Sequence, residues 1–127
     1  MAVYFGKQGQ TVTGRTMDWQ EDMHTDLWIF PRGMKRDGGM GDQGFKWASK
    51  YGSVVSSIYE AGTADGMNEK GLVANSLFLV ESEYPSPKGD NRPLMSIAAW
   101  TQPELDWDAT QDSSQWPRRS RRVIASL

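Results

Sequence analysis

The sequence predicts an α+β layered sandwich, and three observations lead to it. Up to residue 80 the chain is a series of short β-like runs broken by glycine and turn residues. The connections between them are tight turns of the kind that join antiparallel neighbours. Residues 94–100 then open a further segment, so the order is strands first, then the element that covers them.

Taken in order, Ala2–Phe5 and residues 11–13 flank Gly6-Lys7-Gln8-Gly9-Gln10, a hairpin with glycine in the turn. Leu27–Phe30 is an aromatic-aliphatic run that stops at Pro31, as a strand does. Residues 33–44 hold five glycines among charged residues and are expected as a loop. Residues 54–59 and 71–80 are the next strands, with Asp65 to Gly71 as the tight turn between them. Residues 81–93 form a polar, proline-bearing loop.

At 127 residues the chain is long enough for a single core. A formal net charge of −2 argues against a general nucleic-acid binder. Six tryptophans and seven methionines serve first as core filling and second as walls of apolar clefts. With no cysteine, disulfides and thiolate metal sites are excluded, and no metal or organic cofactor is expected. No run approaches the ~20 apolar residues of a membrane span. No charged start followed by an apolar stretch reads as a signal peptide, which leaves localisation open.

The chemistry concentrates in GRTMDW, Gly14 to Trp19. Arg15 and Asp18 set a cation and an anion beside the first hairpin. Such a pair suits an N-terminal nucleophile: Asp18 accepts from an α-amine, and Arg15 lowers a neighbour's pKa. The chain nevertheless opens Met1-Ala2-Val3, with no nucleophile of that kind. His24 is the only histidine and lies in a charged stretch with Glu21, Asp22 and Asp26, so it is read as an exposed loop residue. Arg118, Arg119, Arg121 and Arg122 cluster in the tail without interleaved aromatics, and are read as a solvated or out-of-frame segment.

Four blocks in order carry a family resemblance: GRTMDW, then Phe30-Pro31-Arg32-Gly33, Lys50-Tyr51-Gly52-Ser53-Val54 and Asp65-Gly66-Met67-Asn68-Glu69-Lys70-Gly71-Leu72. Together they resemble the opening third of the choloylglycine hydrolase and penicillin V acylase family, over residues 1–102. Those enzymes are linear-amide C–N hydrolases with the αββα N-terminal-nucleophile fold, built on antiparallel sheets. The resemblance implies that residues 94–100 begin a sheet-covering helix, which Pro103, lacking a backbone donor, is expected to interrupt. Residues 103–127 depart from the resemblance and are expected as a divergent tail, with a frameshift or premature stop near residues 102–111.

The resemblance implies catalytic roles for Arg15 and Asp18. It puts the nucleophilic cysteine two positions upstream of Met1, and a later asparagine and second arginine beyond Leu127. The chain as written is therefore expected to be inactive. Phe78 falls near the family's oxyanion position, where a backbone N–H makes the contact, with Met17, Trp19 and Met23 as pocket neighbours. Asn68 is expected to stabilise its turn. The implied substrate is a small N-acyl amide (bile salt, penicillin V or acyl-homoserine lactone type). Full-length relatives are usually homotetramers, and those of Gram-negative bacteria are often periplasmic. The alternatives are an inactive gene remnant and a non-catalytic module that binds acyl ligands.

Overall fold

The computed structural model describes residues 2–83, 91–107 and 122–124. Strands β1 (Ala2–Phe5) and β2 (Thr11–Gly14) pair antiparallel, with Ala2 opposite Gly14. Their turn closes through Gly6 N–H donating to the Gln10 carbonyl at 2.7 Å. It passes through left-handed backbone at Gln8 and Gly9, φ 70° and 74°, which glycine adopts without steric cost.

The main sheet is four-stranded and antiparallel, in the order β3 (Leu27–Phe30), β6 (Ser53–Ile58), β7 (Gly62–Asn68), β8 (Val73–Asn75). Its faces follow from the register. Trp28, Val55, Gly66 and Ala74 lie in one cross-strand row, on the face covered by helix α1 (Thr101–Trp107). A Cβ on Gly66 would sit 2.5 Å from Leu105 Cδ1 and 2.8 Å from Val55 Cγ1, so only glycine admits the helix this close. The opposite face carries Leu27, Ile29, Val54 and Met67, all exposed. This is an apolar patch of the kind that marks a surface meant to be covered.

Several sequence expectations shift here. Residues 33–44 are not a plain loop, since β4 (Lys35–Asp37) pairs antiparallel with β5 (Lys46–Ala48), setting Arg36 opposite Trp47. Asp65 to Asn68 belongs to β7, so the turn is confined to Asn68–Gly71, closed by Gly71 N–H to the Asn68 carbonyl at 2.9 Å. The buried Asn68 does hold it: Oδ1 accepts from Lys70 N at 2.9 Å and Leu72 N at 3.0 Å, while Nδ2 donates to the Leu105 carbonyl at 2.9 Å. The strand expected over residues 71–80 shortens to β8, and Leu77, Phe78, Leu79 and Val80 are exposed beyond it.

Residues 94–100 do not begin an α-helix. Leu94–Ser96 is β9, parallel to β10 (Arg122–Ile124), and Ile97–Ala99 is a single 3₁₀ turn capped by Ser96 Oγ. Pro103 does not interrupt anything, because α1 starts at Thr101 and Pro103 sits in its first turn. N–H groups there have no intrahelical acceptor, so proline removes nothing. The rest of the arginine-rich tail lies outside the described residues.

Beneath α1 lies a polar core. Asp106 is fully buried and accepts from Trp47 Nε1 at 2.8 Å and Gln102 Nε2 at 2.7 Å, with Arg36 Nε at 3.4 Å. Burial pushes the Arg36 guanidinium below its usual pKa, and the Asp106 charge opposes that shift.

On the surface, Arg32 grips Glu69 through both oxygens, and Glu69 also accepts from Gly52 N at 2.8 Å. The Arg32 hydrogen bond, then that of Gly52, holds Glu69 near pKa 2 against an ordinary 4.5. A depressed carboxylate contributes stability above its unfolded pKa and loses it as pH falls through the folded one. The melting temperature should therefore drop between pH ~4.5 and ~2 in a step that Glu69→Gln flattens, as read by thermal denaturation across that range. No helix among the described residues is long and apolar enough to cross a membrane.

Candidate active site

The β1–β2 hairpin ends at Gly14 and releases GRTMDW as irregular chain running over the open face of the main sheet. Arg15 leads it, with its side chain only 8% exposed. Nε donates to Asp65 Oδ1 at 2.6 Å and Nη2 to Asp65 Oδ2 at 2.7 Å, a side-on bidentate clamp. Nη2 also lies 3.1 Å from Met17 Sδ. Among the described residues, Nη1 is buried with no hydrogen-bond partner. An unsatisfied buried donor costs roughly 1–3 kcal/mol, which singles out Nη1, and Arg36 Nη2 on the α1 side, as groups in want of an acceptor.

Asp65 reaches Arg15 because β7 puts it in the row with Ser56 and Asn75, on the face away from α1. Arg15 and Asp18, read from sequence as the site's cation and anion, are not paired with each other. Arg15 takes Asp65, and Asp18 stays exposed at the open end of the loop.

The aromatic residues gather on the same loop. Trp19 stands edge-on to Phe78, ring centroids 5.5 Å apart at 85°. Trp19 Nε1 donates to Tyr59 Oη at 2.7 Å, and Tyr59 Oη donates to Glu21 Oε1 at 2.6 Å. The bond to Glu21 holds the phenol proton and raises the Tyr59 pKa. Tyr59 N–H donates to the Met23 carbonyl at 2.8 Å, anchoring the far end of the loop. Trp19 and Phe78 thus meet directly, Met17 touches Arg15, and Met23 is tied in through its backbone. Tyr59 and Glu60 both hold left-handed backbone, φ 52° and 54°, strain that goes with a turn held in place by its contacts.

Sequence reasoning missed Asp65 and Tyr59. Asp65 falls in the segment expected as a turn, and an acidic residue at mid-strand is the signal that points to it. Nothing in the local sequence singles out Tyr59. His24 is exposed, its backbone N–H donating to Asp22 Oδ1 at 2.8 Å. No group of metal-ligating side chains occurs among the described residues. A cavity of about 340 Å³ lined by Trp28, Phe30, Arg36, Trp47 and Gln102 opens on the α1 side of the sheet and includes none of the loop residues. Arg15 and Asp65 lie on the other face.

Residues 2–103 match the linear amide C–N hydrolases of the choloylglycine hydrolase family. The penicillin V acylase of Pectobacterium atrosepticum is 50% identical over 109 residues, covering 81% of this chain and 29% of that protein. The structure of penicillin V acylase from Agrobacterium tumefaciens superposes with a TM-score of 0.87 at 48% identity, over 97% of this chain and 39% of that one. A mutant conjugated bile acid hydrolase from Clostridium perfringens shares the fold, with a TM-score of 0.75 at 21% identity over 96% of this chain. The chain thus spans well under half the length of these relatives. The α+β, antiparallel-sheet architecture read from the sequence matches their N-terminal-nucleophile fold. An arginine clamped at the open face of that fold, in a sequence that matches over most of its length, makes this chain a member of the choloylglycine hydrolase family of linear amide C–N hydrolases.

Proposed function

We propose that these residues form part of a site hydrolysing the linear amide of a small N-acyl substrate, with Arg15 and Asp18 serving an N-terminal cysteine that precedes Met1. The observation that carries this reading is the buried, unpartnered Nη1 of Arg15. It sits beside the hairpin from which that cysteine would extend. In the β1–β2 register, Ala2 is opposite Gly14. A strand continued upstream of Ala2 would run on past Gly14 toward the start of GRTMDW, where Arg15 lies.

In this mechanism the cysteine sulfur attacks the amide carbonyl while its own α-amine takes the thiol proton. The C–S bond forms, the C–N bond breaks, and the α-amine returns the proton to the leaving amine. Water then cleaves the thioester, releasing the acid and restoring the thiol. Asp18, exposed at the loop, orients the α-amine, and Arg15 directs an N–H at the sulfur or the developing anion. The Phe78 backbone N–H is the oxyanion donor on this reading. The apolar wall of Phe78 and Trp19, with Met17 and Met23 beside it, suits an aryl or alicyclic acyl group. Similarity to two penicillin V acylases near half identity favours phenoxyacetyl amides among these.

Neither the Met1 thioether nor the Ala2 methyl is a nucleophile with a transferable proton, so the polypeptide from Met1 to Leu127 should be inert on its own. The test is acid and amine release from penicillin V and from glycocholate. Protein isolated from the native source should hydrolyse at least one of them, and the purified 127-residue chain neither. Equal activity in the two preparations would refute the proposal.

A further inference from the structure

We propose that Asp65 is a positioning residue that fixes the plane of the Arg15 guanidinium, so that Nη1 is presented as a directed donor to the reacting centre. The inference rests on the amide-hydrolase reading above and assigns to it a residue from outside the GRTMDW segment. The pair spans 50 positions in sequence, and both contacts lie at the short end of the hydrogen-bond range, 2.6 and 2.7 Å. Asp65 engages the Nε edge of the guanidinium. In a rigid planar fork, that leaves Nη1 projecting away from the carboxylate. Nη1 is the buried nitrogen without a partner.

The setting rules out a casual surface pair. Arg15 keeps 8% of its side-chain surface exposed and Asp65 28%, and Asp65 stands on the sheet face that otherwise presents Leu27, Ile29, Val54 and Met67. The clamp also alters what Arg15 offers. Bonded through two N–H groups to a carboxylate, its positive charge is largely balanced at close range. The group then acts through the direction of one N–H more than through long-range charge. Orientation is therefore the quantity Asp65 controls, and misplacement by about 1 Å costs on the order of 10²-fold in rate.

Two measurements test this. In the 127-residue chain, the Arg15 Nε–H resonance in 15N-edited NMR should be sharp and slow to exchange with water. It should collapse toward the bulk arginine envelope in Asp65→Asn, while the backbone amide spectrum keeps its dispersion. In protein from the native source, Asp65→Asn should lower kcat about 10²-fold with KM within about twofold, and Asp65→Glu should recover part of the loss. A pair that serves only the fold would instead lower the melting temperature with kcat per folded molecule unchanged, and that outcome overturns the proposal. An Nε–H already averaged with the bulk in the unsubstituted chain overturns it as well. An unsubstituted native protein that hydrolyses neither amide refutes the proposed function instead, and the NMR result still decides whether the clamp exists.

Discussion

Replacing Asp106 by alanine should destabilise the chain by about 3–5 kcal/mol, read as a lower urea midpoint at unchanged m-value. Its carboxylate is fully buried and satisfies Trp47 Nε1 and Gln102 Nε2 while balancing Arg36. Removing it leaves the Arg36 guanidinium, held 3.9 Å over the Phe30 ring, without its anion in a low-dielectric core. The Asp106 backbone carbonyl also accepts from Lys50 N at 2.8 Å and Tyr51 N at 3.1 Å, which ties α1 to the segment entering β6. The double substitution Asp106→Ala with Arg36→Met should cost clearly less than the sum of the two singles, because the stranded charge goes with its partner. Additive losses would show that the ion pair contributes little and that Asp106 acts only through its hydrogen bonds.

Arg15→Met should have the largest effect on function. In protein from the native source, kcat should fall about 10²–10³-fold, the usual loss when one preorganised donor to a developing charge is removed. Asp65 would keep its place on β7 but lose the group it holds. Arg15→Lys should not restore the rate, because an ammonium cannot fork onto both carboxylate oxygens while presenting a third N–H in a fixed direction. Steady-state kinetics on penicillin V would check both variants, and full activity in Arg15→Lys would reduce the role of Arg15 to charge alone.

Local features of the fold were legible in the sequence. The first hairpin follows from its glycines, and Leu27–Phe30 ends where Pro31 ends it. Errors came where long-range contact overrode local pattern. The helix that the resemblance implies at residues 94–100 starts later, because Leu94–Ser96 pairs as a strand with Arg122–Ile124 and Ser96 caps the 3₁₀ turn that leads into α1. Pro103 seemed a breaker only because the helix was begun too early. Leu77 to Val80 has strand composition yet leaves the sheet after Asn75, as Ser76 turns toward Thr101 and the Ala64 carbonyl. The site was half legible. GRTMDW marks its own loop, whereas the partner of Arg15 lies 50 residues on, and no sequence period announces such a pair. Gly66 is similar: its need for no side chain is set by Leu105 arriving from a helix far along the chain.

The central claim is that Arg15 and Asp18 serve a cysteine carried upstream of Ala2. Intact mass and N-terminal sequencing of the hydrolytically active product from the native source test it most directly. The expected result is a chain opening with cysteine at the third residue before Ala2 and a mass well above 14.3 kDa. An active product that opens at Met1 with a mass of 14.3 kDa would contradict it.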